Sequence, residues 1–202
     1  MTSSDASKPG SVDLIHIHED DWGQRHLYPE IAWADVEAEG RALDAHADKY
    51  ADPNGYGFSE IYAIKGPTKS YKDVGLKLEP LATELGKLFP RVKNFNATIS
   101  GSIGKAEKDP FGSYETDAWC FGVDWDCFIK LETDGQLISD IWYAYGNEDQ
   151  ELIKKLIEAI RLVHQHSPSV VSDYAAHGFG KLSDAEFAED YFEFVLEESL
   201  LD

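Results

Sequence analysis

The chain has 202 residues, 43% hydrophobic and 12% aromatic, which suits one domain with a sizeable core. Its 38 Asp and Glu against 18 Lys and Arg give a formal net charge of -20, a surface that repels nucleic acid and anionic membrane and attracts a basic protein. No run approaches the roughly 18 apolar residues of a membrane span, and two cysteines in all point to a reducing, cytoplasmic setting.

The opening "MTSSDASKPG" lacks the basic start and apolar stretch of a signal peptide, so residues 1–11 read as a disordered leader before a single domain over 12–202. "VDLIHIH" at 12–18 reads as a strand and "EDDWGQRHLYPEI" as a loop rich in turn formers. From Trp33 to Tyr50, the positions Trp33, Val36, Gly40, Leu43, Ala47 and Tyr50 step by three and four, one face of a helix. "DPNGYG" is a turn, "FSEIYAIKG" a strand and "PTKSYKD" a polar loop. Pro80 reads as the first helical position of a short helix, with Leu78, Leu81, Leu85 and Leu88 at helical spacing. "NFNATISGSIG" alternates as a strand does, and "KAEKDPFGSYE" is an exposed loop.

The run from Thr116 to Glu132 reads as one long strand, with Trp119, Phe121, Val123, Trp125, Cys127, Ile129 and Leu131 on one face. Along it Cys120 and Cys127 lie on the order of 20 Å apart, too far for a disulfide, and read as buried free thiols. "ETDGQ" matches a three-residue hairpin loop with Gly135 in the left-handed position, which pairs Leu131 with Leu137, Ile129 with Ser139 and Trp125 with Tyr143. A helix over 147–166 opens on a capping box of Asn147 and Gln150, "SPSVVSDY" is a short strand, and Ser183 with Glu186 caps a final acidic helix. Its stripe of Phe187, Tyr191, Phe194 and Val195 reads as docking on its own domain, with a partner-binding tail as the alternative. These elements predict an α+β fold: one mixed, mostly antiparallel sheet with helices mainly on one face.

The second face of the hairpin sets Asp124, Asp126, Phe128, Asp140 and Trp142 together. Acids interleaved with aromatics can desolvate a partner while offering it carboxylates, so these five are the candidate partner-binding residues. No nucleophile, Gly-rich phosphate loop or metal motif adjoins them, and the reading assigns no catalytic residue and no cofactor. "HIHEDD" supplies the alternative: His16 and His18 share a strand face ahead of Asp20 and Asp21, a spacing that can hold zinc for a metal-dependent hydrolase. That motif resembles the paired histidines after the first strand of metal-dependent amidohydrolases, whose barrels need an eightfold strand–helix repeat that this chain lacks. "DDWGQRHLYP", with Trp22, Arg25, Tyr28 and Pro29, reads either as a loop pinned to the core or as a recognition loop.

The C-terminal half, "CFGVDWDCFIKLE", a turn, "LISDIWYAY", a helix and "PSVVSDY", resembles the immunity proteins of bacterial toxin systems over about 60 residues. The resemblance implies a small acidic cytoplasmic protein that binds and blocks a cognate toxin. A toxin acting on nucleic acid is basic, which fits a net charge of -20.

Overall fold

The computed structural model describes residues 13–52, 59–99, 109, 112–176 and 178–198. In chain order the elements are β1 (Leu14–His18), β2 (Arg25–Pro29), α1 (Trp33–Tyr50), α2 (Leu78–Leu88), β3 (Arg91–Val92), β4 (Asn94–Thr98) and β5 (Ser113–Glu115). Then follow β6 (Trp119–Asp124), β7 (Cys127–Asp134), β8 (Leu137–Ala144), α3 (Gln150–His166), β9 (Ser169–Asp173), β10 (Gly178–Lys181) and α4 (Ala185–Glu198). The fold is α+β, but its strands form two sheets rather than one. A seven-stranded sheet runs β10-β9-β2-β8-β7-β6-β3, antiparallel throughout, and a three-stranded sheet runs β1-β4-β5 with β1 and β4 parallel.

The helices follow the apolar periodicity closely, whereas their caps shift. The Asp149 carboxylate accepts the Glu151 N–H and starts α3, because Asn147 is occupied: it donates to Asp126 at 3.0 Å and accepts the Asp149 N–H. Asp184 caps α4 by accepting from the Glu186 N–H, while the Ser183 hydroxyl turns instead to Glu30 at 2.8 Å. Pro80 is tolerated in the first turn of α2, where its missing N–H has no intrahelical partner to lose.

Several expectations change, and the end of "KAEKDPFGSYE" is not loop but β5, paired with β4. "RHLYP" is no loop but β2, a central strand between β8 and β9; turn-forming residues dominate only 19–24, and Leu27 is wholly buried. Over the described residues 59–66 of "FSEIYAIKG" no strand forms. "PTKSYKD" carries a 3-10 turn, Tyr71–Val74, capped reciprocally by Ser70 and Asp73, and Tyr71 is fully buried with its hydroxyl 2.8 Å from that of Ser169. The single strand 116–132 is two: the chain reverses at Trp125–Asp126. Gly122 permits that reversal, because a Cβ there would lie 2.5 Å from the Cys127 carbonyl oxygen.

Gly135 adopts φ +65° as the turn requires, yet the loop is Gly135–Gln136, with Asp134 opposite Leu137. Ser139 is an extra residue that shifts the register, so Leu131 faces Ile141, Ile129 faces Tyr143 and Lys130 faces Trp142. Residues 76–78 decide this: the Leu78 N–H donates to the Gln136 carbonyl and the Ile138 N–H to that of Leu76. Relative to the expected pairing the shift is four residues before the Ser139 bulge, an even number, so the side chains of Phe128–Glu132 and Asp140–Ala144 keep their expected faces, whereas Ile138, beyond the bulge, joins the core with Leu131 and Ile141 rather than the face of Trp142.

On one face Leu27, Ile129, Leu131, Ile141, Tyr143 and Val171 form a continuous core with Leu81 and Leu85 of α2, Leu156 and Ile160 of α3, and Tyr191 and Val195 of α4. Each such side chain contributes about 1.5–3 kcal/mol by leaving water. On the other face the small sheet lays Ile15, Ile17, Phe95 and Ala97 over Cys120, Phe128 and Trp142, while α1 packs Val36 beside Tyr28 and Val170. Cys120 and Cys127 therefore sit on opposite faces, both buried and both free. Burial pushes the Cys127 thiol up to about 12 and raises Cys120 as well. Among the described residues no helix is long and apolar enough to cross a membrane.

Candidate functional site

The acid–aromatic face does not stay open. Phe128 is 0% and Trp142 2% exposed beneath the small sheet, and their rings pack edge to face with Phe95 at 5.6 and 5.4 Å. The expectation of five residues sharing one exposed face is thereby corrected: strand alternation placed Phe128 and Trp142 on the second face, and the β1-β4-β5 sheet covers that face. Its centre is Lys130, 0% exposed, whose ammonium meets Glu115 of β5 at 2.7 Å and also Glu132. The rings of Phe95, Trp22 and Trp142 surround it at 5.1, 5.6 and 5.9 Å, and the Trp142 Nε1–H donates to Glu132.

The carboxylates separate. Asp140 accepts the Ile141 N–H and lies 3.1 Å from Nδ1 of His26, whose ring stacks on Tyr28. Asp124 and Asp126 flank the β6–β7 turn, where Asp124 accepts the Trp125 N–H at 2.8 Å. Between them Trp125 stands 55% exposed at the turn, not on the apolar face that a single strand would have given it.

Below this turn lies a cleft of about 260 Å³. Ile17, Phe128 and Ala144 supply apolar wall; Asp21, Asp126 and Glu198 supply carboxylates; Gln24, Arg25 and Tyr145 complete the polar lining. Three separate elements deliver the acids: the 3-10 turn after β1, the β6–β7 turn and the end of α4. Arg25 lies with its guanidinium 4.2 Å over the Tyr145 ring and its Nε 3.6 Å from Asp173. Burial opposes that positive charge, but Tyr145 and Asp173 outweigh it and hold Arg25 above its usual range.

Asp173 anchors the network behind the cleft. One of its oxygens accepts from the hydroxyls of Tyr145 at 2.6 Å and Tyr191 at 2.9 Å, the other from the N–H groups of Ala175 and Ala176. Tyr143 joins through the Tyr191 hydroxyl at 2.6 Å. Burial, and then the negative charge of Asp173, hold Tyr145 well above the ordinary phenol range. With Arg25 beside Asp173, the three carboxylates of Asp21, Asp126 and Glu198 give the lining a net negative charge.

His16 and His18 do project from the same outward face of β1, but to different partners. His16 Nε2 lies 2.7 Å from the Thr98 hydroxyl, and its imidazole is lowered by burial and then by the charge of His18. His18 accepts the Asp20 N–H and lies 3.4 Å from the Asp20 carboxylate, while Asp21 turns to the acid cleft. Among the described residues no three His, Cys, Asp or Glu groups are placed to hold one metal ion.

Trp125, Tyr145 and Glu198 are cleft residues that sequence reasoning left out, whereas Arg25 was named only as part of a possible recognition loop. Gly122 inside an apolar run, followed by Asp-Trp-Asp, was the available signal of a reversal at Trp125. Nothing local in the sequence brings Glu198 or Arg25 to that turn. No family model, no curated protein and no solved structure matches the chain.

Proposed function

We propose that the chain is a non-catalytic acidic binding protein, an immunity protein that neutralises a basic toxin, a nuclease being the class whose own charge fits best. The observation that carries this reading is Trp125, more than half exposed between Asp124 and Asp126, beside a cleft that Asp21, Asp126 and Glu198 line. A lysine or arginine of the partner can lay its stem on the indole and its charge among the carboxylates. The net charge of -20 adds long-range attraction and so a fast, salt-sensitive encounter.

Capture of a basic protein on the immobilised chain, followed by calorimetric titration of that protein, tests the reading. The triple variant Asp124→Asn, Trp125→Ala, Asp126→Asn is expected to weaken binding about 100-fold, as removal of an interface anchor with its charges does, and to flatten the dependence on salt. Unchanged affinity in that variant would remove this turn from the interface.

A further inference from the structure

A second depression, of about 580 Å³, lies on the other side of the turn that follows β1. Its apolar lining comes from Leu43 and Ala47 of α1, Ile61, Tyr62 and Ile64 of the adjoining segment, and Trp22. We propose that this groove receives a bulky apolar side chain from a basic segment of the same partner; the proposal rests on the basic-partner reading above and adds a second anchor to it.

Three observations support it. The segment is held in place without being a strand: the Ser59 N–H donates to the Tyr50 carbonyl, the Lys65 N–H to Glu39 at 2.8 Å, and the Thr68 N–H and hydroxyl to Asp35. Between those ties Ile61 is 98% and Ile64 49% exposed, next to Trp22 at 40%, an apolar patch on a fixed backbone. The charged groups of the lining are Asp20 and Glu60, with no lysine or arginine, so an apolar residue flanked by basic ones complements the groove. Gln24 lines both this groove and the acid cleft, so the two depressions adjoin across that residue. A second copy of the chain is a poor occupant, because it brings another net charge of -20.

Fluorescence anisotropy of labelled peptides on the full chain tests the groove. The probes carry two leucines between lysine pairs, two alanines between lysine pairs, or two leucines between glutamate pairs. The lysine–leucine peptide is expected to bind about tenfold tighter than the lysine–alanine one, and the glutamate peptide not at all. The double variant Ile61→Ala, Ile64→Ala is expected to abolish the preference for leucine with little change in melting temperature, since Ile61 is almost wholly in water and Ile64 about half so. The variant at Asp124, Trp125 and Asp126 is expected to keep that preference. Equal binding of the two lysine peptides would overturn the groove and leave the basic-partner reading standing. So would retention of the leucine preference by the double variant, or concentration-dependent dimerisation that this variant removes.

Discussion

On one side of β7 and β8, Ile129, Leu131, Ile141 and Tyr143 meet three helices; on the other, Phe128, Lys130 and Trp142 meet a second sheet. Each side contains one buried charge that the strand pattern gave no reason to bury. Asp173 beneath α4 is satisfied by two hydroxyls and two backbone N–H groups, with Arg25 nearby. Lys130 beneath the small sheet is satisfied by Glu115 and Glu132, each about one-third exposed, and by aromatic rings. The difference teaches that a polar residue in a strand does not mark a solvent face: it marks a face where donors and acceptors must be supplied from elsewhere.

The sharpest way to break the comparison is to remove the charge on each side. Asp173→Ala strands two tyrosine hydroxyls, two N–H groups and a largely buried guanidinium, and is expected to cost about 3–5 kcal/mol in urea unfolding. Lys130→Ala should cost somewhat less, about 2–4 kcal/mol, because its two glutamates can turn toward water. Lys130→Met keeps the volume of the stem and is expected to cost under about 1.5 kcal/mol; equal losses for Met and Ala would mean that charge pairing rather than packing dominates there. Tyr191→Phe removes one hydroxyl from the Asp173 network and is expected to cost about 1 kcal/mol, with amide exchange accelerating in α4 more than in α3.

The smallest effect concerns the outer side of the small sheet. The His16 imidazole is held below its usual 6.5 by burial first and by His18 second. A folded value below the unfolded one means that this contribution is fully present above pH 6.5 and is lost as pH falls through the lowered value. Urea midpoints are therefore expected to decline on acidification below pH 6.5, and His16→Gln to flatten the first part of that decline.

Much of the α+β fold was legible. The boundaries of α1 follow from steps of three and four, the left-handed turn from Gly135, and the faces of Phe128–Glu132 and Asp140–Ala144 from simple alternation, which survived a four-residue change of register and failed only at Ile138, past the Ser139 bulge. Less of the site was legible. Asp124 and Asp126 were found, but Phe128 and Trp142 were taken for surface, because alternation separates two faces without saying what covers the second. The reversal at Trp125 was missed because each half of the run is apolar enough to pass for one strand.

The sequence by itself determined the acidic character, the periodicities of helix and strand, and the two-sidedness of the hairpin, since all of these reside in composition and in neighbours a few residues apart. Only the tertiary structure decided that β1, β4 and β5 lie over Phe128 and Trp142, that Lys130 meets Glu115, and that Asp21, Asp126 and Glu198 line one cleft. Those are contacts between residues far apart along the chain, fixed by which apolar surfaces bury one another rather than by any local preference.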